Sequence, residues 1–152
     1  MKSIHDYTSP SFIKSIDSSD KFQAIEDLAS VFSGTDICSD VTKLVAALKE
    51  REEIMSTGIG FNIAIPHAKI PEVKDIAFSI GISKKGIDFD SMDGNPVNLI
   101  ILVVAGEKQH KDYLSLLSGI MAFLKDPVVK ESIISADSSE IVFNVLKTAQ
   151  SR

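Results

Sequence analysis

The nine residues VNLIILVVA, Val97 to Ala105, constrain the fold of this chain more than any other stretch. The run is apolar at almost every position, yet it is far shorter than the roughly 20 residues that a membrane-spanning helix needs. It reads as a buried strand, and a buried strand needs other elements to cover it.

The flanking segments supply that cover. In SSDKFQAIEDLASVFSG, the residues Phe22, Ile25, Leu28 and Phe32 recur at helical spacing, with Ser19 or Asp20 as the cap and Gly34 as the stop. In SDVTKLVAALKERE, Asp40 caps a helix whose buried stripe is Val41, Leu44, Val45 and Leu48. The period then changes: FNIAIPH alternates Phe61, Ile63 and Ile65 with small or polar residues, which predicts a short strand. DIAFSIGIS, the brief GIDF and VNLIILVVA are further strands, and SFIKSI near the start is a weaker one. The turn at MDGNP uses Gly94 for an unusual backbone angle. Helix returns in HKDYLSLLSGIMAFLK, with Leu114, Leu117, Ile120, Met121 and Leu124 expected on the inner face. Asp126-Pro127 breaks it before VVKESIISA, and Ser138 caps a last helix carrying Ile141, Val142, Val145 and Leu146. Helices outside and strands inside predict an α/β layered domain with five strands.

With 152 residues and neither repeat nor linker, the chain reads as a single domain over 1–152. Its 44% apolar and 24% charged residues are globular proportions. A formal net charge of −5, with no lysine and arginine cluster, argues against nucleic acid. The N-terminus has no apolar block to make a signal peptide or anchor, so direct membrane insertion is not expected and the location is expected to be cytoplasmic. Cys38 is the only cysteine and sits between Asp36 and Asp40, a poor setting for a reactive thiol. Lys84 and Lys85 read as solvated, and His5 as uninvolved in any site.

The chemistry concentrates in STGIGFNIAIPHAK, Ser56 to Lys69. Pro66 biases Ile65 to extended backbone and removes a donor, so the strand is expected to end there with His67 at its mouth. Gly58 and Gly60, beside Ser56 and Thr57, would let the main chain turn and present N–H groups to an anion. The spacing is not that of a nucleotide-binding P-loop. A neutral imidazole with one nitrogen pinned by a hydrogen bond is a good nucleophile towards phosphorus, and Arg51 is a natural fork for the resulting anion. On spacing alone this is a candidate anion or acyl site, and a packed or merely exposed histidine fits the same spacing. A metal centre from His67, His110 and a carboxylate has no supporting motif.

The stretch REEIMSTGIGFNIAIPHAK, followed by GIDFDSMDGNPVNLIILVVA and YLSLLSGIMAFLKD, resembles the type-2 IIA domains of the phosphoenolpyruvate-dependent sugar phosphotransferase system, the fructose, mannitol and nitrogen-regulatory group. The resemblance runs from about Ile13 to Leu146 and implies a mixed β-sheet flanked by helices. It implies that His67 accepts a phosphoryl group from the small carrier HPr or its nitrogen-branch equivalent, with Arg51 beside it, and passes it to a cysteine of a IIB domain. No cofactor or metal is implied. A regulatory role, in which phosphorylation controls binding to transporters or kinases, is the alternative. Many members carry a second histidine that aligns with Tyr113, whereas this chain has His110 three residues earlier. Either side chain can donate to phosphoryl oxygens. Phe61, if exposed, would form part of an apolar docking surface beside His67.

Overall fold

The computed structural model describes residues 3–150. After short 3-10 turns at Ile4–Tyr7 and Pro10–Phe12, the chain runs through β1 (Ile13–Ser15), α1 (Lys21–Ala29) and α2 (Val41–Ile54). Then come β2 (Gly58–Gly60), β3 (Ile63–Ala64), β4 (His67–Lys69), β5 (Ala77–Ile87) and β6 (Val97–Ala105). Three helices close it: α3 (His110–Leu124), α4 (Pro127–Ile134) and α5 (Ser139–Gln150).

The strands form one mixed sheet in the order β1-β5-β6-β3-β2, with β4 beside β6 beyond β3. β5 and β6 are antiparallel, whereas β3 and β4 both run parallel to β6, Ile63 opposite Leu99 and His67 opposite Val103. The continuous apolar run follows from this position. Leu99, Ile101 and Val103 pack against α3, α4 and α5 on one face, and Ile100, Leu102 and Val104 pack against α1 and α2 on the other. A strand covered on both faces has no polar side to alternate with.

Helix starts follow their capping residues. Asp20, Asp40 and Asp126 each accept a backbone N–H of the first turn of α1, α2 and α4, and Ser138 does the same for α5. Close packing of α1 on the sheet depends on Gly81, where an added Cβ would lie 2.8 Å from both Ile16 and Leu28 side chains. Cys38 is buried, and burial pushes its thiol up, in keeping with an inert packing role.

Three expectations are corrected. DIAFSIGIS and GIDF are one strand, because the intervening residues make a bulge between Ile82 and Ile87, with Asn98 Nδ2 donating to the Ser83 carbonyl and Ser83 Oγ accepting from the Gly86 N–H. The inner face of α3 is Tyr113, Leu116, Ile120 and Leu124, while Leu114 and Met121 face outward. That helix is apolar on nearly every side, so spacing alone left its rotation open by one residue. The strand expected over FNIAIPH is broken at both ends. Phe61 and Asn62 have φ of 59° and 66° and form a two-residue hairpin turn between β2 and β3, and Pro66, with no N–H to give, interrupts the ladder before His67 restarts it as β4.

Candidate functional site

The main chain around His67 is clamped from both sides. The Ile65 N–H donates to the Thr57 carbonyl at 3.0 Å, and the Val103 N–H donates to the Pro66 carbonyl at 2.9 Å. His67 therefore starts β4 on a fixed backbone, with its side chain half-buried.

Its Nδ1 lies 2.8 Å from the carbonyl oxygen of Ile65. A carbonyl only accepts, so this contact puts the proton on Nδ1 and the free lone pair on Nε2. Burial holds the imidazole below the ordinary histidine range, with the backbone contact to Ile65 opposing it, the Arg51 charge adding a smaller push downwards and the Glu52 charge a smaller pull upwards. The contact and the burial together favour a neutral imidazole whose free lone pair is on Nε2.

Arg51 lies in the last turn of α2, where its guanidinium donates to the Met55 carbonyl at 2.7 Å. Its charge acts on both His67 and Tyr113. Next to it Glu52 is only 2% exposed, a buried carboxylate that sequence reasoning left without a role. It accepts from the Thr57 N–H at 2.9 Å, from the Thr57 hydroxyl, and from Lys21 Nζ at 3.3 Å, so it ties α1, α2 and the start of β2 together. Thr57 and Gly58 therefore do not offer the open donors expected of them. Both Thr57 donors are spent on Glu52, and the Gly58 N–H donates to Ser56 Oγ. The glycines serve geometry instead: a Cβ on Gly58 would sit 2.3 Å from Ser91 Oγ, and Gly60 has φ of +94°.

Tyr113 and His110 take different places. Tyr113 is buried, and its ring centroid is 6.0 Å from that of His67. Burial pushes its phenol up to about 12, the Arg51 charge opposing, so the hydroxyl is a neutral donor throughout the physiological range. His110 is the exposed first residue of α3, and its Nδ1 is 2.6 Å from Lys69 Nζ. Lys69 in turn lies 5.3 Å from the Tyr113 ring centroid. Lys69 was missed as a site residue, although its position two residues after His67 on a strand puts both side chains on one side.

A groove of 410 Å³ is lined by Ile59, Phe61, Ile63, Ile65, Met121, Leu124, Lys125, Pro127 and Lys130. Phe61 is 75% exposed at the hairpin tip. Among the described residues no group of three or more histidine, cysteine, aspartate or glutamate side chains is placed to hold a metal ion, and no helix is long and apolar enough to cross a membrane.

Residues 8–149 match the family model described as phosphoenolpyruvate-dependent sugar phosphotransferase system, EIIA 2. The chain is 31% identical over 131 residues to the PTS system fructose-specific EIIABC component of Bacillus subtilis, covering 86% of this chain but only 21% of that protein. It is 35% identical over 123 residues to the PTS system fructose-specific EIIA component of Haloferax volcanii, covering 81% of this chain and 80% of the relative. Among solved structures, Nitrogen Regulatory Protein IIA-Ntr from Neisseria meningitidis superposes with a TM-score of 0.84 at 25% identity, over 94% of this chain and 98% of the other.

Proposed function

Because this chain belongs to the EIIA 2 family of the phosphoenolpyruvate-dependent sugar phosphotransferase system, we propose that it is a phosphocarrier that receives a phosphoryl group on Nε2 of His67 and hands it on. The observation that carries this reading is the 2.8 Å contact between His67 Nδ1 and the Ile65 carbonyl, which leaves Nε2 as the free nucleophile.

In the transfer, the Nε2 lone pair attacks phosphorus in line. A new N–P bond forms as the donor's N–P bond breaks, and the electron pair of that bond stays on the donor imidazole. His67 keeps its Nδ1 proton on the Ile65 carbonyl, and the positive charge developing on its ring is offset by the phosphoryl dianion. Catalysis is positioning plus charge stabilisation. Arg51 supplies the fixed cation and Tyr113 a neutral O–H, while Glu52 and Thr57 hold the segment that carries them. Thr57, Gly58 and Gly60 act in this reading as supports for the hairpin rather than as phosphoryl donors.

The donor is an HPr-type phosphohistidine carrier or its nitrogen-branch equivalent, and the acceptor is a cysteine of a IIB domain, reached over the exposed Phe61 and its groove. The protein works in the cytoplasm. A second reading is regulatory: the phosphorylation state controls binding to a transporter or kinase. The overlap with a protein named nitrogen regulatory favours it.

Intact mass after incubation with phosphoenolpyruvate, enzyme I and HPr tests the proposal. One acid-labile phosphoryl addition is expected in wild type and none in His67→Ala, and addition to His67→Ala overturns the assignment. Transfer onward to a IIB thiol separates transport from signalling.

A further inference from the structure

We propose that Lys69 is a switching cation, parked on His110 while His67 is bare and drawn onto the phosphoryl group once His67 carries it. The inference rests on the reading of His67 as the phosphoacceptor and deepens it.

Three placements carry the argument. His67 and Lys69 lie two apart on β4, opposite Val103 and Ala105 of β6, so their side chains leave the strand on the same side. Tyr113 stands beside both, its ring centroid 6.0 Å from the His67 ring and 5.3 Å from the Lys69 ammonium. The ammonium itself is 2.6 Å from His110 Nδ1, which makes that nitrogen the acceptor and leaves His110 neutral with its proton on Nε2.

This parking contact is easily exchanged. Both residues are exposed, the lysine stem has four rotatable bonds, and a neutral imidazole holds an ammonium by one hydrogen bond only. A phosphoryl dianion on His67 offers the same ammonium an opposite charge and three acceptor oxygens, a stronger partner than a neutral ring. The Tyr113 face keeps the cation close during the swing. Arg51 is held at its own place by the Met55 carbonyl, whereas the Lys69 ammonium is held by the exchangeable contact to His110 and by the Tyr113 face. Once it moves, His110 at the start of α3 loses its partner. The surface beside the active histidine therefore differs between the two states, which is what a partner reading the phosphorylation state requires.

The test uses the full chain, phosphorylated by phosphoenolpyruvate, enzyme I and HPr, and two magnetic resonance readings. At alkaline pH the 15N resonance of His110 Nδ1 should move on phosphorylation of the wild type towards that of a free imidazole acceptor, and should be the same in both states of Lys69→Met. The 31P titration midpoint of the phosphohistidine should lie about half a pH unit higher in Lys69→Met, because a nearby cation favours the dianion, and Lys69→Arg should restore it. A phosphorylated wild type whose His110 resonance stays put, or a 31P midpoint unchanged in Lys69→Met, overturns the role of Lys69 alone. Failure of the wild type to take up any phosphoryl group overturns the parent reading and this one with it.

Discussion

His67 donates its Nδ1 proton to the carbonyl oxygen of Ile65, two residues earlier and across Pro66, at 2.8 Å. The acceptor belongs to the same short segment as the imidazole, so the tautomer is built into the path of the backbone. Phosphorylation is expected on Nε2, and the 15N and 31P couplings of the phosphoprotein should identify that nitrogen. Phosphate found on Nδ1 would require the ring to flip and would overturn the geometry.

The same burial that half-encloses the ring gives a pH prediction. The His67 pKa is lowered in the folded state, mainly by desolvation, so the neutral nucleophile persists to lower pH than in a free histidine. Phosphoryl acceptance should therefore fall only below the ordinary histidine range. The linkage has a definite sign: between the lowered folded pKa and the ordinary unfolded value the unfolded chain binds more protons, so stability rises with pH there and its full value is present above the unfolded pKa. Denaturant melts from acid to neutral pH should show a shallower dependence for His67→Ala than for wild type.

Tyr113 separates packing from chemistry. Tyr113→Phe keeps the buried ring and should change stability by less than about 1 kcal/mol, while slowing transfer to His67 about tenfold if the hydroxyl donates in the transition state. Tyr113→Ala should cost about 3 to 5 kcal/mol by leaving a cavity under α3. Unfolding free energies and single-turnover rates for the pair distinguish the two contributions, and an unchanged rate in Tyr113→Phe assigns the residue to packing alone.

Glu52 is the buried charge on which the site hangs. Glu52→Ala removes the acceptor from the Thr57 N–H and hydroxyl and from Lys21, and is expected to cost about 3 to 5 kcal/mol, as breaking a buried pair does. Glu52→Gln keeps the shape and should cost less. Chemical denaturation gives both values; a Glu52→Ala protein as stable as wild type would show that water replaces the carboxylate.

Phe61 sits with φ of 59° at the exposed tip of the β2–β3 hairpin, a conformation that a bulky side chain adopts only under strain. Replacing it with glycine should stabilise the fold, or leave it unchanged, and raise the KM for the phosphodonor without lowering kcat. That split would identify Phe61 as a docking residue kept at a cost in stability. A fall in stability would mean the ring packs into its groove instead.

Much of this molecule was legible one residue at a time. The apolar run at Val97–Ala105, the aspartate caps at positions 20, 40 and 126, and the Pro66-His67 pair each carry a local physical constraint: double-sided burial, an orphan N–H, a missing donor. From these the layered α/β order and the place of His67 at a strand mouth follow without knowing what touches what. Periodicity failed where it had no contrast to work with. On α3, apolar on most sides, it could not say that Tyr113 points inward and Leu114 outward, and in FNIAIPH an alternating pattern concealed a turn whose left-handed residues include a phenylalanine.

What tertiary structure decided were the partners that lie far apart in the chain. Lys21 reaches Glu52 and Lys69 reaches His110, over sequence separations of 31 and 41 residues, and the Tyr113 ring comes to 6.0 Å from that of His67. Local rules concern a residue's own backbone and its neighbours within a turn, whereas these contacts depend on how the helices dock on the two faces of the sheet. Residue types and their order are enough to choose the elements; the charges around His67, and which side chains stand beside it, are set only when those elements pack.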